Sequence, residues 1–165
     1  MRLADVRVSL PTNNPVVLLE EAAGGRTLFI FIGNAEADAI VKAMRGSVPP
    51  RPLTHDLFRD VLLALGAELE RVVITELRTD DEGNGTFYAE LHLQQPSGQL
   101  IVSARPSDAI ALAARLACPI FVDEAVLEAE GVLLQSEEAE EGEDETLVEQ
   151  FHDFIEGIRP EDFAS

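Results

Sequence analysis

Residues 99–122, QLIVSARPSDAIALAARLACPIFV, decide how the chain is read. An apolar strand at 100–102 runs into Arg105-Pro106-Ser107-Asp108, and a helical stretch follows over 109–116. Cys118-Pro119 breaks that helix, and 120–122 is a second apolar strand. Pro106 suits the first helical position, where its missing N–H costs nothing. Asp108 can accept from the free amides of the first turn and meets the positive end of the helix dipole. Arg105 sits just outside that end. A strand that delivers Arg, Ser and Asp to a helix N-terminus is an anion-handling corner. The same residues also simply start a helix, and both readings stand at this point.

Working outward, residues 16–41 lie over 86–111 with matched spacing. In both, a strand, a glycine-containing turn, an apolar strand and a helix follow one another. Asp38-Ala39-Ile40 coincides with Asp108-Ala109-Ile110, and Glu20 with Glu90. One more strand precedes each copy, at 6–10 and 72–77. The expectation is an α+β fold with a duplicated βββα unit, its mainly antiparallel sheet packed by helices. Convergence on a hairpin followed by a helix would leave the same low-identity pattern, so duplication is one of two explanations.

The other elements follow from periodicity and punctuation. Strands are expected at 16–20 and 27–32. Asn34 is the expected N-cap of a helix over 35–45, with Ala37, Ile40, Val41 and Met44 as its buried stripe. A proline-stiffened crossover at 47–53 leads to Thr54, the expected cap of a second helix. That helix carries Leu57, Phe58, Val61, Leu62 and Leu65 as its apolar face, and Gly66 stops it. A strand at 69–77 and a turn at 79–85 precede 86–94, where Phe87, Ala89, Leu91 and Leu93 alternate with Tyr88, Glu90, His92 and Gln94. Asp123 caps a short helix over 124–130, and 132–134 reads as a last short strand. The expected organisation is a domain over 1–135, an acidic linker over 136–145 and an amphipathic C-terminal helix and tail over 146–165. Leu147, Phe151, Phe154, Ile155 and Ile158 form the stripe of that helix and call for a partner surface.

Composition narrows the function classes. At 165 residues and 46% hydrophobic, the chain can bury a real core. No run of about 18 apolar residues exists, so no membrane span is expected. The single cysteine, Cys118, excludes an internal disulfide framework and reads as a buried thiol. A cytoplasmic protein is the expectation. The net charge is −19, and 12 of the 31 acids but one of the 12 bases fall within 136–165. That balance opposes broad coating of nucleic acid, which rests on Lys and Arg. Ten of the eleven bases in the body are arginine, which leaves room for a focused oxyanion site.

Two constellations could carry chemistry. Arg51-Pro52, then Thr54-His55-Asp56, echoes Arg105-Pro106-Ser107-Asp108: each sets Arg-Pro, a hydroxyl and an Asp around a helix start. Thr54, Ser107 and the free amides suit phosphate, with Arg51 and Arg105 supplying bidentate contacts. His55 could move protons while Asp56 orients it or holds a metal. Glu90 with His92 is the second constellation, and Asp56, Glu90 and Asp108 together could hold a divalent cation. Caps, helix-dipole acids and a solvent-facing strand explain the same residues without chemistry. There is no glycine-rich phosphate loop, H-E-x-x-H, zinc cysteine pair or G-x-S-x-G elbow.

Several ordered stretches resemble the bifunctional nuclease family. They are Ile30-Phe31-Ile32-Gly33 with Glu36-Ala37, Arg51-Pro52-Leu53-Thr54-His55-Asp56-Leu57, and Gly85-Thr86-Phe87-Tyr88-Ala89. They continue with Ala104-Arg105-Pro106-Ser107-Asp108-Ala109-Ile110-Ala111-Leu112-Ala113 and Pro119-Ile120-Phe121-Val122. The resemblance covers roughly residues 3–135 as five motifs in register. It implies a compact mixed α/β domain, a homo-oligomer, and nuclease activity on DNA or RNA. It brings no agreed catalytic set, so the candidates are motif positions with suitable chemistry. These are His55, Asp56, Glu90 and Asp108 as catalytic residues, with Arg51, Thr54, Arg105 and Ser107 on substrate. Asp56, Glu90 and Asp108 would bind Mg²⁺ or Mn²⁺. The acidic loop Asp80-Asp81-Glu82-Gly83-Asn84 departs from the family pattern. The competing expectation is a non-catalytic regulatory or interaction module, its acidic linker and C-terminal helix docking on a protein partner.

Overall fold

The computed structural model describes residues 1–9, 13–83 and 85–133. Two four-stranded sheets share one core. The first has the order β1-β2-β3-β8, from β1 (Arg2–Val8), β2 (Pro15–Glu20), β3 (Arg26–Phe31) and β8 (Val132–Leu133). The second has the order β6-β5-β4-β7, from β4 (Glu68–Thr79), β5 (Gly85–Gln95), β6 (Gly98–Ala104) and β7 (Ile120–Val122). All neighbours are antiparallel except β4 and β7, which run parallel with Val72 opposite Ile120. The helices are α1 (Asn34–Met44), α2 (Thr54–Ala64), α3 (Pro106–Leu116) and α4 (Glu124–Glu130). The fold is α+β, as expected.

The duplicated unit is visible in the topology. β1-β2-β3-α1 and β4-β5-β6-α3 are each a meander followed by a helix, and α1 packs against α3. The copies differ in how they close: β8 joins the third strand of the first meander, whereas β7 joins the first strand of the second. The core draws Val17, Leu19, Leu28 and Ile30 from one sheet and Leu69, Val72, Ile74, Leu91 and Leu93 from the other. Ile40 of α1 and the Ala109–Ala113 segment of α3 fill the space between them. Alternation on β5 is as expected, with Ala89, Leu91 and Leu93 buried.

Local signals hold at some helix ends and not at others. Pro106 is the first residue of α3, and Asp123 accepts from the Ala125 amide at 3.0 Å. Gly66, at φ +68°, terminates α2 where a side chain would be strained. Asn34 and Thr54 are not caps. The caps are Gly33 and Leu53, each helix beginning one residue earlier than its hydroxyl or amide suggests. At α2 the reason is Asp56, whose Oδ2 accepts from the Leu53 amide at 3.0 Å and so fixes Leu53 as the boundary. Asp108 does not cap α3 through a backbone amide either; its carboxylate is turned to side chains. β1 begins at Arg2, and the 6–10 expectation is shifted toward the N-terminus.

The largest correction concerns α2. Its apolar stripe is not a core face: Leu62 is buried, but Leu65 is 71% and Leu57 57% exposed, with Phe58 and Val61 also open. Met44 of α1 is exposed as well. β6 is an edge strand whose Leu100, Ile101 and Val102 are exposed. Cys118 is half-buried, and burial pushes its thiol up to about 11, so it is an inert thiol at neutral pH. Among the described residues no helix is long and apolar enough to cross a membrane. The expected linker at 136–145 and C-terminal helix from 146 lie outside the described residues.

Candidate active site

Three helix starts meet. α2 brings His55 in its first turn, α3 brings Asp108 in its first turn with Arg105 just before it, and α1 brings Glu36. His55 Nε2 lies 3.0 Å from Asp108 Oδ1. Arg105 grips the same carboxylate with Nε at 2.8 Å from Oδ2 and Nη2 at 3.2 Å from Oδ1. Its remaining terminal nitrogen, Nη1, is 3.1 Å from Glu36 Oε1. Glu36 reaches that position by folding back over Gly33, where a Cβ would collide with its carboxylate. The result is a continuous chain His55–Asp108–Arg105–Glu36 across three elements.

The protonation states follow. Burial of Asp108 opposes its ionisation, but the hydrogen bonds from Arg105 and His55 outweigh it and hold the carboxyl below its ordinary 3.8. An ionised carboxylate only accepts, so His55 Nε2 must donate. In the neutral imidazole that leaves Nδ1 as the acceptor, and among the described residues it has no hydrogen-bond partner. Arg105 is held firmly cationic, chiefly by its hydrogen bonds to Asp108. The arrangement is a carboxylate-oriented histidine beside an exposed guanidinium, chemistry suited to proton abstraction next to an oxyanion.

Asp56 is turned elsewhere. Arg115 Nε donates to its Oδ1 at 2.6 Å, and the Arg115 and Asp56 side chains are 5% and 13% exposed. Arg115 Nη1 also donates to the Ala111 carbonyl at 2.9 Å. Burial disfavours the charge on Asp56, yet the Arg115 hydrogen bond and the Leu53 amide hold its carboxyl below 3.8. Asp56 therefore clamps the start of α2 to the C-terminal half of α3. Sequence reasoning misses Arg115 and Glu36 as site residues. The signal for Arg115 is a lone cation near the end of the otherwise apolar run IALAARL, a pattern that calls for a buried partner.

The remaining candidates separate. Arg51 and Thr54 are exposed just before and at the start of α2, whereas Ser107 is buried. Glu90 lies on the opposite face of its sheet from the core residues Ala89 and Leu91. There its Oε2 is 3.1 Å from His92 Nε2, while Arg71 Nη2 is 3.0 Å from His92 Nδ1. Arginine can only donate, so Nδ1 accepts and Nε2 donates to Glu90, a self-contained trio. Glu90→Gln should therefore leave any hydrolytic rate essentially unchanged in a nucleic-acid cleavage assay. A loss matching that of His55→Ala would bring Glu90 into the site.

The metal expectation meets an unfavourable donor set. Among the described residues no three His, Cys, Asp or Glu side chains form a group able to hold a metal ion. Asp56 is committed to Arg115, Glu90 to His92, and Asp108 to Arg105 and His55. These three carboxylates do not fit a shared Mg²⁺ or Mn²⁺.

With this geometry in hand, comparison with known proteins gives the class. The bifunctional nuclease domain matches residues 17–135, most of the chain, and the protein belongs to that family. It is similar along its whole length to two uncharacterized proteins of Mycobacterium tuberculosis, MT1877 of strain CDC 1551 and Rv1829 of strain H37Rv. Each is 46% identical over 170 aligned positions, covering 100% of this chain and 98% of the relative. The family supports a nuclease-like or nucleic-acid-related role.

Proposed function

We propose that the protein hydrolyses phosphodiesters in DNA or RNA, with His55 as the proton-moving group. Asp108 holds the imidazole in the tautomer that leaves Nδ1 free. The exposed Arg105 and Arg51 take the phosphate, Arg105 doing so by exchanging its contact with Glu36 for the stronger anion. Nδ1 accepts the proton of a water that attacks phosphorus as the P–O bond to the leaving strand breaks. The leaving oxygen takes a proton from solvent, and the guanidinium stabilises charge on the non-bridging oxygens. The observation that carries this reading is the His55–Asp108–Arg105 chain at the meeting of the helix starts. The net charge of −19 opposes broad coating of nucleic acid, which favours a focused contact at this arginine-bearing corner. The test is cleavage of single-stranded DNA and RNA by the purified full chain, with Mg²⁺, with Mn²⁺ and with chelator. Cleavage above an Asp108→Ala control supports the reading. Equal rates from both proteins in every buffer sink it.

A second reading has its own observation, the outward apolar face of α2. Leu57, Phe58, Val61 and Leu65 side by side are unusual on a free surface and suit a binding module. On that reading Asp108→Ala lowers the melting temperature and alters no activity.

A further inference from the structure

One edge of the molecule leaves two layers unfinished. Among the described residues β6 ends the second sheet, and residues 99–103 are exposed along it. Directly opposed residues on neighbouring strands share a face. Leu100 and Val102, opposite Leu93 and Leu91 of β5, therefore lie on the core face of the sheet, and Ile101, opposite His92, lies on the other. Both faces of this strand are apolar and open, Leu100 at 44%, Val102 at 36% and Ile101 at 56%. α2 lies along the same edge. Its first turn is tied to the end of β6 through His55 and Asp108, four residues past Ala104. Its far end reaches the start of β6, where a Cβ on Gly66 would touch the ring of Pro96, in the β5–β6 turn, at 3.9 Å. Nine residues carry an α-helix through about two and a half turns, so Leu65 lies opposite Asp56, which Arg115 of α3 holds. Leu57, Val61 and Leu65, with Phe58 beside them, therefore open on the flank of α2 away from α3.

We propose that this edge is the contact between two copies of the chain, β6 pairing antiparallel with the β6 of a second copy and α2 packing against its α2. A twofold interface requires a patch complementary to itself. An antiparallel strand edge has that property, because its donors and acceptors match those of an identical strand turned end for end. Residues 95–104, QPSGQLIVSA, hold no charge in a chain of net −19, and Leu57, Phe58, Val61 and Leu65 add none. Two copies meet at this patch without opposed carboxylates, whereas a basic partner would find none in it to pair with. The pairing of strand with helix decides between occupants. A single added peptide strand would complete the β6 ladder but leave the flank of α2 in water, and a single added helix would do the reverse. A second copy presents strand and helix in the same relation, so one twofold axis closes both. This contact is independent of phosphodiester cleavage, since neither Val61 nor Ile101 belongs to the His55–Asp108–Arg105 chain.

Sedimentation equilibrium of the full chain in about 0.15 M salt, where charges are screened beyond about 8 Å, should give twice the 18.0 kDa of one chain. Val61→Glu in the helix layer and Ile101→Glu in the strand layer should each return the mass to that of one chain. Both positions are about half exposed, so each variant should keep the folded circular dichroism spectrum. In a Cys118→Ser background, a nitroxide on Gln99→Cys should lie nearer to its copy than one on Arg7→Cys of the first sheet, by dipolar distance measurement. A mass of one chain at every concentration up to about 1 mM overturns the proposal. So does a folded variant that stays dimeric with either substitution, which takes that layer out of the contact. An Arg7→Cys label nearer to its copy than the Gln99→Cys label moves the interface to the other sheet and equally overturns it.

Discussion

Asp56→Ala should cost about 3–5 kcal/mol of folding stability, the effect of stranding one member of a buried ion pair. The Arg115 guanidinium, 5% exposed, would keep its charge and lose the carboxylate 2.6 Å away. Against a total of about 5–15 kcal/mol for a domain, that is enough to leave the variant partly unfolded near physiological temperature. Urea denaturation followed by circular dichroism measures it. The double variant Asp56→Ala/Arg115→Met should recover most of the loss, because it removes the stranded charge as well as the pair. The sign with pH is fixed by the direction of the Asp56 shift. Its carboxyl sits below 3.8 in the fold and at its ordinary value when unfolded, so the contribution is fully present above that value. It is lost as pH falls through the folded value. Wild type should thus hold a plateau from neutral pH and weaken only in strong acid, while Arg115→Met should lack that share of the acid limb.

His55→Ala should lower phosphodiester cleavage by about a hundredfold or more while leaving the melting temperature close to wild type. Rates from single-turnover cleavage, set beside thermal melts, separate the two quantities. Asp108→Asn tests the orienting role: an amide can offer its N–H to Nε2 and favour the wrong tautomer, so the rate should fall although the shape is kept. Because Asp108 is held below 3.8, it stays ionised throughout any practical assay range. The Asp108→Asn protein should therefore cleave more slowly than wild type at every pH at which Asp108 is ionised. A His55→Ala protein that melts normally and cleaves at the wild-type rate would remove the histidine from the mechanism.

What can be read in the sequence is local or repeated. Pro106 at a helix start, Asp123 as a cap and the alternation of Ala89, Leu91 and Leu93 each depend on residues within one element, and each is found in place. The βββα repeat is legible because strand, turn and helix recur at fixed spacing. The sequence offers the adjacent Asp56 as the residue that orients His55; the partner is instead Asp108, because two helix starts 53 residues apart converge. Asp56 shows the limit most clearly. Its type and position fit a metal ligand, and only its neighbour from 59 residues away reveals it as a clamp. The stripe of α2 misleads for a related reason. Periodicity reports that a helix has an apolar side; it says nothing about what that side meets.

The exposed edge of β6 has a consequence for how the protein behaves in bulk solution. Leu100, Ile101 and Val102 lie on an edge strand without proline or lysine, the devices that usually discourage another strand from adding on. Opposing such strand addition is the net charge of −19 of the chain. Acidification or high salt removes the repulsion while leaving the ladder of backbone donors and acceptors intact. A lysine at position 101 should therefore lower light scattering in acid and at high salt relative to wild type, because it places the repulsion on the strand edge itself.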